Sequence, residues 1–91
     1  MNSSSCLRRS PTAAFQSLAG EAVLIHMQTG AYYSLNEVGT VFWEMLDGEA
    51  SVADCALKIA QEYSAPLAVI QADLLELAQD LLREGLAERP R

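Results

Sequence analysis

The segment from Gly30 to Gly48 constrains the fold most, because it joins a strand directly to a helix. A turn at Thr29 and Gly30 precedes it, since glycine adopts positive φ without a Cβ clash. Residues 31–35 favour a strand, and Asn36 is placed to cap the helix that follows. The helix has apolar residues at i, i+3, i+4, i+7 and i+8, and Gly48 is expected to end it. These apolar positions are Val38, Val41, Phe42, Met45 and Leu46.

Two further strands are expected before this corner and two further helices after it. Residues 13–18 and 22–28 are strand-like and flank an Ala19–Gly20 turn, and turns this short imply antiparallel pairing. Ser51 begins the second helix in a pattern that resembles a capping box with Asp54, and the third helix runs from near Pro66 to Gly85. The expected fold is therefore α+β and winged helix-turn-helix-like, with a three-stranded antiparallel sheet followed by three helices. Residues 1–12 are expected to be a disordered tail, 13–88 one domain, and 89–91 a loose tail.

The third predicted helix carries an apolar arc of roughly 160°, which is wider than one small core requires. Acidic residues, among them Asp73 and Asp80, lie along one border of this arc. The surplus width is compatible with core packing, a dimer seam or a peptide groove. The apolar residues are Leu67, Ile70, Leu74, Leu75, Leu77, Ala78, Leu81 and Leu82.

Composition limits the classes of function. The 91 residues are 51% hydrophobic, enough for one core, and the net charge of −6 argues against nucleic-acid binding. A disulfide between Cys6 and Cys55 is not expected, and reduced thiols in the cytoplasm are the simpler interpretation. No membrane span is expected because no apolar run is long enough, and no signal peptide because no apolar stretch follows Arg8 and Arg9.

Residues that could support catalysis are sparse. His26 lies within a predicted strand, and no cysteine has an evident base nearby. The sequence contains no zinc-ligand spacing and no phosphate-binding loop, so we expect no enzymatic activity, no metal and no cofactor. Tyr32 and Tyr33 point to opposite faces of one strand, so at least one of them lies on a surface, as amphipathic aromatics at binding edges often do.

Several short motifs, taken in order, resemble the PqqD-like family of precursor-peptide recognition elements, which serve the synthesis of ribosomally made and modified peptides. They are Gly30-Ala31-Tyr32-Tyr33-Ser34-Leu35-Asn36, Gly39, Trp43-Glu44-Met45-Leu46-Asp47-Gly48, Ser51-Val52-Ala53-Asp54, Tyr63, Asp73-Leu74-Leu75 and Glu84-Gly85-Leu86. The likeness extends over residues 13–88.

The resemblance implies a winged-helix fold without catalytic activity. It also implies that the leader segment of a precursor peptide adds as a strand to the edge of the third predicted strand. Leader side chains would then enter a groove between that strand and the third helix. The acidic border found above agrees with such a groove, since Asp73 and Asp80 could hold a basic leader residue. The implied peptide-binding residues are Ala31, Tyr32, Tyr33, Ser34, Leu35, Ile70, Asp73, Leu74, Leu77, Asp80 and Leu81.

Within this family the chain looks closer to the stand-alone leader-binding proteins of lasso-peptide pathways. Their partners are a separate leader peptidase and a macrolactam-forming cyclase. The alternative is a peptide chaperone of pyrroloquinoline quinone synthesis, although the usual Pro-Glu-Gly-like turn is replaced here by Gln28-Thr29-Gly30. A structural dimer in which the third helix forms the interface remains an alternative function. The expected oligomeric state is a monomer or weak homodimer. DNA binding is the weakest alternative, because Lys58 and Arg83 are the only basic residues of the last two predicted helices.

Overall fold

A computed structural model describes residues 2–90, which form six strands and three helices. The strands pair antiparallel in two three-stranded sheets with the orders β2–β3–β4 and β5–β1–β6. The predicted α+β class, with a three-stranded antiparallel sheet and three helices, is confirmed, and the second sheet is an addition to it. The elements are β1 Cys6–Arg9, β2 Ala13–Leu18, β3 Glu21–His26, β4 Tyr32–Ser34, α1 Glu37–Glu44, β5 Asp47–Ser51, α2 Val52–Tyr63, α3 Leu67–Arg83 and β6 Ala87–Glu88.

The first sheet is the predicted meander. Ala19 and Gly20 both have positive φ, at 55° and 82°, as the tight turn of a two-residue hairpin requires. Gly30 has φ of 76° in the β3–β4 turn, and its N–H donates to the His26 carbonyl at 2.8 Å. Burial alternates along β3, with Leu24 buried and Ile25 exposed, so one face of this sheet covers the core and the other faces solvent.

Side-chain caps begin the first two helices, as predicted. The Asn36 side chain accepts a hydrogen bond from the Gly39 N–H at 2.8 Å at the start of α1. Ser51 and Asp54 exchange hydrogen bonds of 3.1 and 3.2 Å at the start of α2, which is a complete capping box. The predicted end of α1 at Gly48 is wrong, because α1 ends at Glu44 and residues 47–51 pair with β1 instead.

The N-terminal segment departs most from the sequence prediction. Residues 6–9 form β1, the central strand of the second sheet, so a disordered tail over residues 1–12 is wrong for this part. Leu7 is 1% exposed and belongs to the core, which gives the strand its anchor. Its partner strands come from residues 47–51 and 87–88, too distant in sequence for local pattern to reveal. Met1 and Arg91, the outermost residues of the two predicted tails, lie outside the described residues.

The core takes most of the apolar arc of α3. Its central residues are buried, and Leu77 at the border is only partly buried. Phe42 and Trp43 of α1 have no exposed surface, and the Phe15 ring meets Trp43 edge-on at 5.8 Å between centroids. Leu67, at the start of α3, stays 43% exposed. None of the helices in residues 2–90 has the length and hydropathy that a membrane span needs.

Truncation of Leu7 is expected to show that β1 belongs to the folded domain. Leu7→Ala should lower the free energy of unfolding by about 2–5 kcal/mol, because it removes a fully buried side chain from the core. Leu18→Ala is the matched control, since Leu18 is 80% exposed and its loss should change stability by less than about 0.5 kcal/mol. Urea denaturation followed by circular dichroism measures both, and equal effects would contradict the assignment of β1 to the core.

Candidate functional site: a groove beside an edge strand

A groove of ≈ 310 Å³ lies between β4 and α3, with the start of α1 as its floor. The strand wall continues past β4 to the helix cap, and the helix wall is the acidic border of the α3 arc. The lining residues are Tyr33, Ser34, Leu35, Asn36, Val38, Gly39, Ile70, Asp73, Leu74 and Leu77. The groove therefore combines an apolar lining with polar groups along one side of the strand and one acidic side chain on the helix.

Gly39 keeps the floor of this groove open. A Cβ atom at this position would lie 3.3 Å from Leu77 Cδ2 and 3.3 Å from Asn36 Oδ1. Any side chain here would press on the helix wall and on the cap of α1. The absence of a side chain thus lets α1 and α3 approach closely while a space remains above their contact.

The outer side of β4 is free for another strand, because β4 is the edge of its sheet within the described residues. The Leu35 N–H donates to the Ala22 carbonyl at 2.8 Å, and the His26 N–H donates to the Ala31 carbonyl at 2.8 Å. Antiparallel pairing alternates, so residues 31, 33 and 35 bond to β3. The N–H and C=O groups of Tyr32 and Ser34 therefore point away from β3, toward the free edge.

A chain of polar contacts joins this strand to α3. The Tyr33 hydroxyl donates to Asp80 Oδ2 at 3.0 Å, and Arg83 donates to Asp80 Oδ1. Asp80 lies at the end of the groove and does not line it. Both of its carboxylate oxygens are engaged within the protein.

Asp73 differs from Asp80 in its surroundings. It is exposed and lines the groove, and it makes no hydrogen bond or ion pair with any residue of the described range 2–90. Its carboxylate therefore faces the groove with its full capacity to accept hydrogen bonds and to pair with a cation.

The structure gathers seven of the predicted site residues around one groove: Tyr33, Ser34, Leu35, Ile70, Asp73, Leu74 and Leu77. Four others do not line it. Ala31 and Tyr32 lie at or beside the start of β4, Asp80 bonds to Tyr33, and Leu81 has no exposed surface and supports the helix wall from the core. The sequence prediction omitted Asn36, Val38 and Gly39, although their position at the strand-to-helix corner was the signal that would have included them.

A second cavity, of ≈ 440 Å³, lies between the β2–β3 turn and the helices α1 and α2. Glu37 and Glu44 line it, and Glu37 accepts a hydrogen bond of 3.1 Å from the Tyr63 hydroxyl. Its lining includes Ser17 of β2, the other edge strand of this sheet, but no residue of α3, so it is not a groove between a strand edge and that helix.

Two potentially reactive side chains outside the groove, His26 and Cys55, have structural roles. His26 Nδ1 accepts from the backbone N–H groups of Gln28 and Thr29 at 3.3 Å each, which supports the β3–β4 turn. Burial raises the pKa of the Cys55 thiol to about 11, so this cysteine stays protonated at neutral pH. Residues 2–90 contain no group of His, Cys, Asp and Glu arranged to hold a metal ion. The free edge of β4 and the apolar groove beside it can therefore bind a ligand through backbone hydrogen bonds and apolar contacts.

The contact between Tyr33 and Asp80 is expected to make stability depend on pH in the alkaline range. Burial and the hydrogen bond to the Asp80 carboxylate raise the pKa of Tyr33 above 10.0. The folded state thus holds the phenol proton more tightly than the unfolded chain does. This stabilisation is present below pH about 10 and is lost as the pH rises through the folded-state value.

Denaturation midpoints in urea, measured from about pH 8 to pH 11, test this expectation. Tyr33→Phe should show a smaller loss of stability over this range than the parent protein. Tyr63→Phe serves as a positive reference and should also show a smaller loss, because desolvation and the bond to Glu37 raise the pKa of Tyr63 at a site away from the groove. Identical pH dependence in the parent and in Tyr33→Phe would exclude the contact as a source of stability.

Comparison with solved structures identifies relatives of the same architecture. The structure titled "TbiB1 in Complex with the TbiA(beta) Leader Peptide" matches with a TM-score of 0.80 and 27% identity, over 92% of this chain and 98% of that one. The structure titled "Lasso peptide synthetase B1 complexed with the leader peptide" matches with a TM-score of 0.74 and 26% identity, over 90% of this chain and 96% of that one. A comparison with curated protein sequences finds no match.

The sequence profile of one family covers most of the chain. Residues 21–87 match the family described as coenzyme PQQ synthesis protein D, a range that contains β3, β4, all three helices of the described chain and the groove between them. The resemblance found in the sequence motifs and the architecture of the solved relatives agree with this match. The chain belongs to the PqqD family.

Proposed function

We propose that this protein is a binding protein that captures the leader segment of a ribosomally synthesised precursor peptide and presents it to separate processing enzymes. The observation that carries the proposal is the free edge of β4 beside an apolar groove. Both solved relatives are described by their titles as complexes with leader peptides, one of them a lasso peptide synthetase component. A lasso-peptide pathway is accordingly the pathway we propose, with a leader peptidase and a cyclase as partners.

The leader is proposed to add as a strand antiparallel or parallel to β4. Backbone groups of Tyr32 and Ser34 would pair with it, and this pairing gives affinity that depends little on leader sequence. Between Asp73 and Asp80 the helix wall extends about 10 Å, at 1.5 Å per residue, which matches about three residues of an extended peptide. Side chains from alternate leader residues would then enter the groove against Leu77 and Ile70 and give selectivity.

We further propose that the protein has no catalytic activity of its own. The groove contains no nucleophile paired with a base, and its one unpaired titratable side chain within the described residues is Asp73. Processing must then come from another protein that acts on the bound precursor. We place the protein in the cytoplasm, where its two described thiols, at Cys6 and Cys55, would stay reduced.

A second candidate function is peptide binding in pyrroloquinoline quinone synthesis, which the description of the matching family favours. The two candidates share a binding mode and differ in the peptide. Binding assays with a lasso leader and with the precursor peptide of quinone synthesis, measured side by side, distinguish them. A DNA-binding role lacks support, since the net charge is −6 and α2 and α3 each contain one basic residue.

Substitution of Ser34 by proline tests the docking edge. Ser34→Pro removes an N–H that points toward the free edge, and it leaves the bonds of Tyr33 and Leu35 to β3 in place. We expect leader affinity to fall by about tenfold or more, since one backbone hydrogen bond is lost and the proline ring obstructs pairing. Fluorescence polarisation with a labelled synthetic leader measures the dissociation constant.

Ser34→Ala is the matched control and should bind within about twofold of the parent, because the proposed pairing uses the Ser34 backbone and not its hydroxyl. Circular dichroism and thermal unfolding establish that both variants fold. A folded Ser34→Pro protein with parental affinity would mean that the leader does not pair with this edge.

Charge reversal at Asp73 tests the helix wall. Asp73→Lys should weaken the binding of a leader with a basic residue facing the groove by about fivefold at low salt, and a leader with Glu at that residue should bind the variant better. Glu76→Lys is the control, because Glu76 is exposed on the same helix, carries the same charge and does not line the groove. If both variants respond equally to the charge of the leader, the effect comes from the overall charge of the protein, and Asp73 is not part of the binding site.

A further inference from the structure

The two acidic residues at the border of α3 have different environments, and the difference suggests different roles. Asp73 faces the groove with no partner among residues 2–90, whereas Asp80 accepts from Tyr33 on one oxygen and from Arg83 on the other. The exposed Arg83 lies one helical turn from Asp80 and holds the carboxylate toward the strand. A carboxylate with both oxygens occupied has little capacity left for a leader cation.

The contact between Tyr33 and Asp80 also holds the two walls of the groove together. Among residues 2–90 it is the only hydrogen bond that joins β4 to α3. At the other end of the groove the walls are fixed differently, because the chain passes from Leu35 through Asn36 into α1, and α1 packs against Leu77 at Gly39. Without the bond to Asp80, the three-residue strand β4 is held by its pairing with β3 and by the packing of the partly buried Tyr33 side chain against the core.

We propose that Tyr33, Asp80 and Arg83 form a latch that sets the width of the groove and the position of the β4 edge, so that Asp80 is a positioning residue and not a contact for the leader. The inference rests on the proposed function and adds a distinct role for one residue. Tyr33 transmits the effect, because its ring lines the groove and its backbone lies between the two residues that face the free edge. The latch preorganises the site and thereby lowers the ordering cost of leader binding.

A double-mutant cycle on leader affinity tests the latch. Tyr33→Phe keeps the ring and removes the hydroxyl, and Asp80→Ala removes the acceptor, so each should raise the dissociation constant by about fivefold. The double variant should also show about a fivefold increase, because the second change has no bond left to break. If the two effects multiply to about 25-fold, Tyr33 and Asp80 act separately and the latch is excluded.

Asp80→Asn distinguishes positioning from direct contact. Its side-chain oxygen still accepts the Tyr33 hydroxyl while the bond from Arg83 is lost, so affinity should fall clearly less than in Asp80→Ala, by about twofold at most, and the salt dependence of binding should not change. A direct ion pair with the leader predicts the opposite, namely a loss as large as that of Asp80→Ala and a flatter salt dependence. That result would overturn the inference.

Two controls keep the outcome interpretable. Thermal unfolding of every variant establishes a temperature at which all are folded, so that a change in stability alone does not alter the measured affinity. If the parent protein fails to bind any leader, both the proposed function and the latch are excluded. If the parent binds and both single variants bind equally well, only the latch is excluded.

Discussion

The pairing of Leu35 with Ala22 is the interaction on which the site depends. The Leu35 N–H donates to the Ala22 carbonyl at 2.8 Å, and the next residue, Asn36, accepts from Gly39 to begin α1. Leu35 directly follows β4 and Asn36 directly precedes α1, so only these two hydrogen-bonded residues connect the edge strand to the helix. Since α1 also presents the fully buried Phe42 and Trp43 to the core, the edge of the sheet is connected to the core through one short helix.

This pairing also sets the register of the whole of β4. A shift by one residue would turn the backbone groups of Tyr32 and Ser34 toward β3 and move Tyr33 to the solvent face. The contact of Tyr33 with Asp80 would then be impossible, and the free edge would present different groups. Burial of Leu35, which is 5% exposed, opposes such a shift, because its side chain would leave the core.

Local features were predictable from the sequence and distant ones were not. The caps at Asn36 and Ser51 each depend on residues within one helical turn, so the pattern of side chains was sufficient to place them. The strand β1 depends on pairing of Arg8 with Asp47 and with Glu88, and its only buried side chain is Leu7. A four-residue segment with one apolar anchor carries no periodic signal, so its order comes from tertiary pairing.

The same contrast between local features, which could be predicted, and distant contacts, which could not, applies to the candidate site. The helix wheel placed Asp73, Leu77 and Asp80 along one border of α3, and that placement needed only the geometry of a helix. It could not show that Asp80 bonds to a tyrosine 47 residues earlier while Asp73 stays unpaired, since this depends on how β4 crosses α3. Two residues of identical chemistry therefore have distinct surroundings. A peptide that pairs with the free edge of β4 would gain affinity only if that edge is already in position. The side chains that hold the walls of the groove in place would then matter as much as those that touch the peptide.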